Sequence, residues 1–204
     1  MEDIKDNGKV GDQGLLDRRS SSFSEEERDH ILKTFIPMGF SADPNYLVNQ
    51  LSSPNESIVS LLGSLPGWFK QGEDRNIAYR ILEQGEKMID NKTNIMDVHF
   101  FYQNKGETYY KNRNFDDFAL NKAINAFKKQ IEISDESIKE FRNEYKNEPT
   151  LPTHKGYEQL AIIREKEGNY EEVIDLCRRA MKQGRGGDRQ HRIDRAEKKI
   201  TVTK

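Results

Sequence analysis

Hydrophobic residues recur every three to four positions along most of this chain, which is the spacing of one face of an α-helix. The clearest stretch is 154–183, where two such runs flank the turn Gly168-Asn169-Tyr170. This pattern predicts two antiparallel helices that pack through large apolar and small side chains. The predicted contact residues are Tyr157, Leu160, Ala161, Val173, Cys177 and Ala180.

The same spacing predicts further helices before and after this pair. Ser24 and Glu27 form a capping box at the start of the first helix. Asp43-Pro44 and Ser53-Pro54 each place a capping residue before a proline at the first helical position. The sequence has no alternating β-branched runs of the kind that indicate strands, so the predicted fold class is all-α. The further helices are expected at about 24–36, 44–52, 54–65, 74–90, 96–112, 119–146 and 188–200.

Several local signals indicate where these helices bend or end. A kink is expected at 133–137, and Pro149 with Pro152 ends the long helix, because proline cannot continue one. The loop between the helices at 54–65 and 74–90 contains Trp68 and Phe69, whose large apolar rings are expected to dock it on the core.

The ordered part of the chain is expected to begin near Ser24. Residues 1–23 contain few large apolar side chains and are predicted to form a disordered tail. Residues 24–94 form a predicted N-terminal helical region, and 95–204 form a second region that carries the clearest helix pairs.

The pair at 154–183 resembles a tetratricopeptide repeat. That family places a large aromatic, a leucine and a small residue on the first helix, a Gly-Asn-Tyr-like turn, and a small residue late on the second helix. Arg164 departs from the pattern, since the family usually has tyrosine there. The matching positions are Tyr157, Leu160, Ala161, Gly168, Asn169, Tyr170 and Ala180.

Two upstream stretches resemble further copies. One has about five extra residues between its helices, and the other is degenerate because Pro66 falls inside its first helix. The resemblance implies a short, right-handed superhelical array of antiparallel helix pairs that ends in a C-terminal capping helix. The matching positions are Tyr102, Gly106, Tyr109, Ala123 and Phe127 in the first of these copies, and Ala78, Leu82 and Gly85 in the second.

The resemblance also implies a function: a non-catalytic scaffold or adaptor that binds a protein or peptide. In such an array, the first helix of each pair lines the concave face. The alternatives are that these residues are ordinary surface, or that Phe100 and Tyr110 pack inward against the N-terminal helices. The partner-binding residues implied on that face are Phe100, Gln103, Glu107, Tyr110 and Lys111 from one copy, and Lys155, Glu158, Ile162, Glu165 and Lys166 from the next.

The charge balance restricts the class of partner. The chain has 33 Lys and Arg against 35 Asp and Glu, with a net charge of -2, whereas a dedicated nucleic-acid binder is expected to be basic. From residue 178 onward, however, cations outnumber acids. This segment is either a solvated cap or a contact for nucleic acid or an acidic partner, and a nucleic-acid-associated or regulatory protein is the alternative function. Its cations are Arg178, Arg179, Lys182, Arg185, Arg189, Arg192, Arg195, Lys198, Lys199 and Lys204.

The sequence offers no constellation for catalysis. Cys177 is the single cysteine, which excludes an intrachain disulfide and a cysteine-rich zinc site. No nucleophile–base pair, metal-ligand spacing or phosphate loop can be assembled. We therefore expect no enzyme activity, metal or cofactor. The four histidines are scattered at His30, His99, His154 and His191.

The sequence also bears on the compartment. The first residues lack the basic region and apolar run of a signal peptide, and no stretch approaches the ~18 apolar residues of a membrane span. We therefore expect a cytoplasmic protein with no membrane partner. A homo-oligomer is compatible with the sequence.

Overall fold

The structure is a computed structural model that describes residues 22–36, 57–146 and 151–203. These residues form nine α-helices and one short 3-10 helix, Leu65–Trp68, and the only extended pairing among them is an isolated bridge between Leu151 and Arg185. The all-α prediction is therefore confirmed for this part of the chain. The helices are α1 (Glu25–Thr34), α2 (Ile58–Ser64), α3 (Arg75–Lys87), α4 (Ile95–Lys111), α5 (Ala119–Glu132), α6 (Ser134–Glu144), α7 (Lys155–Lys166), α8 (Tyr170–Lys182) and α9 (Arg189–Thr203).

The first helix begins as its sequence predicts. The Glu27 N–H donates to Ser24 Oγ at 3.2 Å, and the Ser24 N–H donates to Glu27 Oε2 at 2.8 Å. Helix α2 begins at Ile58 with Ser57 as its N-cap, so its start lies later than predicted. The predicted helix at 44–52 and both Asp43-Pro44 and Ser53-Pro54 lie outside the described residues.

The predicted long helix at 119–146 is two helices, and the expected kink is a complete break at Ile133. The backbone of Ile133, between the two helices, departs from helical geometry with φ at -91° and ψ at 7°. Ser137 Oγ donates to the Ser134 carbonyl at 3.1 Å, and Ser134 Oγ accepts from Gln183 Nε2 at 2.9 Å. Helix α6 therefore leaves the axis of α5 and packs mainly against α4.

Most helices pack on their successors in the chain. Helix α4 packs on α5, α5 on α7, α7 on α8 and α8 on α9, while α2 contacts both α3 and α4. One hydrophobic core runs from Val59 in α2 to Ala196 in α9. This core crosses position 94, since the rings of Tyr79 and Tyr109 are 4.3 Å apart. The predicted regions 24–94 and 95–204 therefore both contribute to this core.

A second apolar cluster corrects the predicted end of the tail. Phe23 is only 2% exposed and belongs to the cluster that contains Ile31 and Leu62. The guanidinium of Arg80 lies 4.2 Å from the Phe23 ring centroid, and Gln84 Nε2 donates to Ser22 Oγ at 2.8 Å. The prediction that the tail extends to residue 23 is therefore wrong at these two positions. Residues 1–21 lie outside the described part of the chain.

The aromatic loop is only partly docked. Phe69 is buried, as predicted, whereas Trp68 is 41% exposed and contacts Phe35 edge-on, with ring centroids 5.2 Å apart. The 3-10 helix that carries Trp68 begins directly after α2. The indole therefore contacts the end of the α1 segment at Phe35 and remains partly in solvent.

Candidate functional site

Three of the five partner-binding residues predicted on helix α4 lie in different environments. Phe100 is 42% exposed and lies edge-on to Phe141, with centroids 6.0 Å apart. Gln103 is half-buried and accepts from Gln130 at 3.4 Å. Tyr110 is half-buried against the main core. Tyr110 therefore has a packing role, which the inward alternative anticipated, while Phe100 is partly open to solvent.

The other two residues predicted on α4 line a polar cleft. Glu107 and Lys111 lie one turn apart at the C-terminal end of this helix. The cleft has a volume of about 240 Å³ and is bounded on the opposite side by the end of α2 and the following 3-10 turn. Its lining residues are Ser64, Gly67, Asn104, Glu107, Thr108 and Lys111.

Helix α7 brings its predicted residues next to those of α4. Lys155 Nζ lies 3.0 Å from Glu158 Oε2. This hydrogen bond, with a further contribution from the charge of Glu107, raises the pKa of Lys155. Helices α4 and α7 are also in direct contact, which makes the two groups of residues neighbours. We call Glu107, Lys111, Lys155 and Glu158 the α4–α7 surface. On the same helix, Ile162 is half-buried and Lys166 is exposed.

The remaining predicted residue of α7, Glu165, is held by the C-terminal helix. Its carboxylate forms a short ion pair with Arg192 and a second pair with Arg195, whose Nε lies 3.4 Å from Glu165 Oε1. Helix α9 therefore covers this end of α7. The residues of the concave-face prediction and of the basic-segment prediction thus meet at the same place in the fold.

A second pocket lies at this meeting point. It has a volume of about 120 Å³ and is formed by α7, the start of α9 and the loop between α8 and α9. Gly187, with φ at 120°, lets that loop turn where other residues would be strained. The Gly186 N–H donates to the Leu151 carbonyl at 3.2 Å and anchors the loop. We call this the arginine pocket, and its lining residues are Thr153, Glu158, Ala161, Gly187, Asp188, Arg189, Arg192 and Arg195.

Two arginines next to this loop are buried. Arg185 is 5% exposed and Arg189 is 6% exposed. Burial lowers the pKa of both, and that of Arg185 falls to about 10 with a further contribution from the charge of Arg189. Both therefore stay cationic at neutral pH. Arg185 lies over the ring of Phe141, at 5.2 Å from its centroid.

The hydrogen-bonding capacity of these two guanidinium groups is not filled. Arg189 Nη2 donates to the Gly186 carbonyl at 3.1 Å. Among the residues that the structure describes, Arg189 Nε, Arg185 Nε and Arg185 Nη2 are buried without a hydrogen-bond partner. Burial of an unpaired charge costs free energy of folding, so two buried guanidinium groups with unfilled donors are an unusual feature of this loop. Sequence analysis expected both residues either in a solvated cap or at a contact for nucleic acid or an acidic partner, and nothing in their local pattern indicates burial.

A buried histidine pair was also missed by sequence analysis. The rings of His99 and His154 lie 4.9 Å apart, and both side chains are almost fully buried. Gln130 Nε2 donates to His99 Nε2 at 3.2 Å, and His154 Nδ1 accepts from the Tyr157 N–H at 3.4 Å. These bonds assign the protons to His99 Nδ1 and His154 Nε2, which have no partner within the described ranges.

The histidine pair is electrostatically neutral near pH 7. Burial lowers the pKa of His99 to about 4, with Arg185 adding to the effect. Burial, followed by the charges of His99 and Arg185, lowers the pKa of His154 to about 2. Within the described part of the chain, no three His, Cys, Asp or Glu side chains are grouped as a metal site would need.

Comparisons with known proteins give no relative. No protein family, curated protein or solved structure matches this chain. Among the helices that the structure describes, none is long and apolar enough to cross a membrane.

Proposed function

We propose that this protein is a non-catalytic scaffold or adaptor that binds a protein or peptide on the α4–α7 surface. The observation that carries this function is the position of Lys155, which is bonded to Glu158 on its own helix and lies within electrostatic range of Glu107 on α4. A partner that contacts one group of predicted residues would therefore reach the other. Cytoplasmic location and the lack of a metal or cofactor are parts of the same proposal.

The packing order supports a repeat array of the tetratricopeptide type. Each helix from α4 onward contacts its successor, except that α6 folds back on α4 and leaves α5 to pack on α7. The small residues Ala161 and Ala180 are 1% and 0% exposed at helix contacts, as the proposed register requires. In such an array, α9 would be the capping helix and α4 and α7 would be the first helices of successive pairs.

The chemistry of the α4–α7 surface suits a peptide. Lysine and glutamate alternate there, beside the polar cleft that Asn104 and Thr108 line. These side chains can pair with the backbone and the charged groups of an extended segment. Among the described residues, no group of three His, Cys, Asp or Glu side chains accompanies them as a metal site would need, and binding is the function that the charged and polar groups support.

The alternative of a nucleic-acid contact at the basic segment has less support. Arg178 pairs with Glu197, Arg179 pairs with Asp175, and Glu165 holds two more arginines of the segment. Arg185 and Arg189 are buried. Six cations of the segment are therefore already paired or buried, whereas an extended nucleic acid needs an open basic track.

Selection from a random peptide display library, with the full chain as bait, tests the proposed function. Affinities of the selected peptides would be measured by fluorescence anisotropy. We expect the double variant Lys111→Gln with Lys155→Gln to weaken binding by about tenfold or more, which corresponds to ~1.4 kcal/mol. The matched control is Lys128→Gln with Lys139→Gln, which removes the same charge from exposed positions on α5 and α6.

Circular dichroism melting of each variant would verify that the fold is retained. Binding that is equal in the wild type and both double variants would contradict the α4–α7 surface as the site. Failure of the library to yield any peptide whose binding depends on Lys111 or Lys155 would do the same.

A further inference from the structure

Arg189 is a buried cation that lines a pocket and has an unfilled donor. Its side chain is 6% exposed, and its Nε has no hydrogen-bond partner among the described residues. Its Nη2 is anchored on the Gly186 carbonyl, which fixes the guanidinium in place. No described carboxylate forms an ion pair with it. A buried guanidinium is stable when an anion accepts its hydrogen bonds, so the pocket has the chemistry of an anion site.

Two further arginines approach the same pocket. Arg189, Arg192 and Arg195 are spaced three residues apart on α9, which places them along one face of the helix. Glu165 bridges the last two and holds their side chains toward α7. The arginine guanidinium carries several donors in a planar fork that matches the oxygen atoms of phosphate and carboxylate groups.

The charge around the pocket is positive. Glu158, on the pocket wall, is already neutralised by Lys155, and Asp188 is largely exposed and faces His191 at 3.7 Å. The excess is close to two positive charges, and a phosphate monoester carries about -1.5 to -2 at pH 7. One carboxylate would neutralise only half of it. The cations at and beside the pocket are Lys155, Arg185, Arg189, Arg192 and Arg195, and the carboxylates are Glu158, Glu165 and Asp188.

The size of the pocket suits a small, compact anion. Its volume is about 120 Å³, well above the ~10–15 Å³ that one water molecule requires. Its walls come from four segments: Thr153 before α7, α7 itself, the loop that contains Gly187, and the first turns of α9. A pocket of this size favours a terminal group, which can enter end-on, over the linking phosphate of a polymer backbone.

We propose that the arginine pocket binds a phosphate monoester, with Arg189 as the central ligand and Arg192 and Arg195 on its flank. The group belongs to a phosphorylated side chain or to a small phosphorylated molecule. This site shares Glu158 with the α4–α7 surface and has Lys155 beside it, but it does not depend on the peptide binding proposed above.

Thermal melting of the full chain at constant ionic strength tests this site, with inorganic phosphate, O-phosphoserine, acetate and chloride as probes. Binding to the folded state alone raises the melting midpoint with ligand concentration. We expect phosphate and O-phosphoserine to raise it by about 5–10 °C at ~100 times the dissociation constant. Acetate and chloride should have little effect. Chemical shift changes at arginine Nε–H groups in NMR spectra would report binding directly.

Variants separate this binding from the general stabilisation that phosphate exerts on folded proteins. Arg189→Met keeps the aliphatic stem and should abolish the phosphate-specific shift. If that variant does not fold, Arg195→Gln serves instead, because Arg195 is half-exposed and Arg192 still holds Glu165. Arg195→Gln should weaken phosphate binding about tenfold. The matched control is Arg178→Gln, an exposed arginine on α8 that pairs with Glu197.

Three results would overturn the proposal. The first is a phosphate effect that persists in Arg189→Met or, where that variant does not fold, a phosphate affinity of Arg195→Gln equal to that of the wild type. The second is an effect of acetate or chloride equal to that of phosphate. The third is Arg189-dependent binding of a short oligonucleotide that is tighter than the binding of O-phosphoserine. Such a result would indicate a phosphodiester as the ligand.

The same measurements distinguish the two sources of the phosphate group. A phosphoserine peptide that binds more tightly than free O-phosphoserine would support the site and assign its ligand to a protein. Equal binding of the two would support the site with a small molecule as its ligand.

Discussion

The ring of Phe127 in α5 lies where a Cβ atom on Gly106 in α4 would stand. A Cβ built at position 106 would be 2.4 Å from Phe127 Cε1, far inside van der Waals contact. Phe127 is fully buried, so its ring has little room to move away. The absence of a side chain at Gly106 therefore sets how closely the two helices approach.

Gly106→Ala should destabilise the protein through this contact. Overpacking of a core costs about 1–3 kcal/mol, and a clash this close is expected at the upper end. Alanine recovers at most ~1 kcal/mol through its better helix propensity, so the overpacking dominates. The free energy of unfolding would be measured by chemical denaturation.

The control for this change is Gly67→Ala, because a Cβ there meets nothing within 4 Å. Its effect should stay within about 0.5 kcal/mol. Adding Phe127→Leu to Gly106→Ala should recover part of the loss, because a smaller side chain vacates the shared space. Additive effects of the two substitutions would contradict a direct clash.

Phe23 should contribute to stability although it precedes the first helix. It is 2% exposed, and Arg80 lies over its ring. Phe23→Ala should cost about 3–5 kcal/mol, as for other buried phenylalanines.

Two deletions test the same contact. Deleting residues 1–21 should leave the unfolding midpoint in place, since their sequence lacks apolar periodicity. Deletion of 1–23 should lower that midpoint, and equal midpoints for the two deletions would contradict a packing role for Phe23.

The buried histidine pair should make stability fall between neutral and mildly acidic pH. The folded pKa values of His99 and His154 are lowered to about 4 and about 2, whereas an unfolded histidine titrates near ~6.5. Below pH ~6.5 the unfolded chain therefore binds more protons than the folded one, and acid favours unfolding. The stabilisation is fully present above pH ~6.5 and is lost as the pH falls toward 4.

The melting midpoint at pH 7.5 and pH 5.5 would measure this loss. His154→Asn should reduce the difference, because asparagine can still accept the Tyr157 N–H bond but does not titrate. The control is His191→Asn, at an exposed position on α9. An unchanged difference in His154→Asn would show that the acid sensitivity arises elsewhere.

Glu86 and Lys105 should respond asymmetrically to substitution. Lys105 is largely buried, and its Nζ lies 2.6 Å from Glu86 Oε2, while Lys129 Nζ lies 2.8 Å from Glu86 Oε1. Burial acts to raise the pKa of Glu86, but the hydrogen bonds from Lys105 and Lys129 together outweigh it and keep this pKa below its usual value. The carboxylate is therefore ionised at neutral pH and stabilises the fold there.

Glu86→Gln should cost about 1–3 kcal/mol, because it leaves the Lys105 cation buried without a charge partner. Lys105→Met should cost much less, since Met retains the apolar stem and Lys129 still pairs with Glu86. Chemical denaturation of both variants at pH 7 would compare them. A larger loss for Lys105→Met than for Glu86→Gln would contradict this account.

Local sequence determined much of the secondary structure. The Ser24–Glu27 capping box and the turn at 168–170 occur as predicted, because caps and turns depend on neighbouring residues. The apolar spacing at Tyr157, Ala161 and Ala180 also identified buried positions correctly. Each of these features arises within a few residues of the chain, where the sequence pattern carries the required information.

Tertiary packing decided which polar residues became buried and which of them became neighbours. His99 and His154 are far apart in the sequence and adjacent in space, and Arg189 is buried although its neighbours suggest a solvated helix. Periodicity shows which face of a helix is apolar, but it does not show which other helix covers that face. Burial, pairing and pKa shifts follow from that choice of neighbour, so the histidine pair and the arginine pocket emerged only when the helices were packed together.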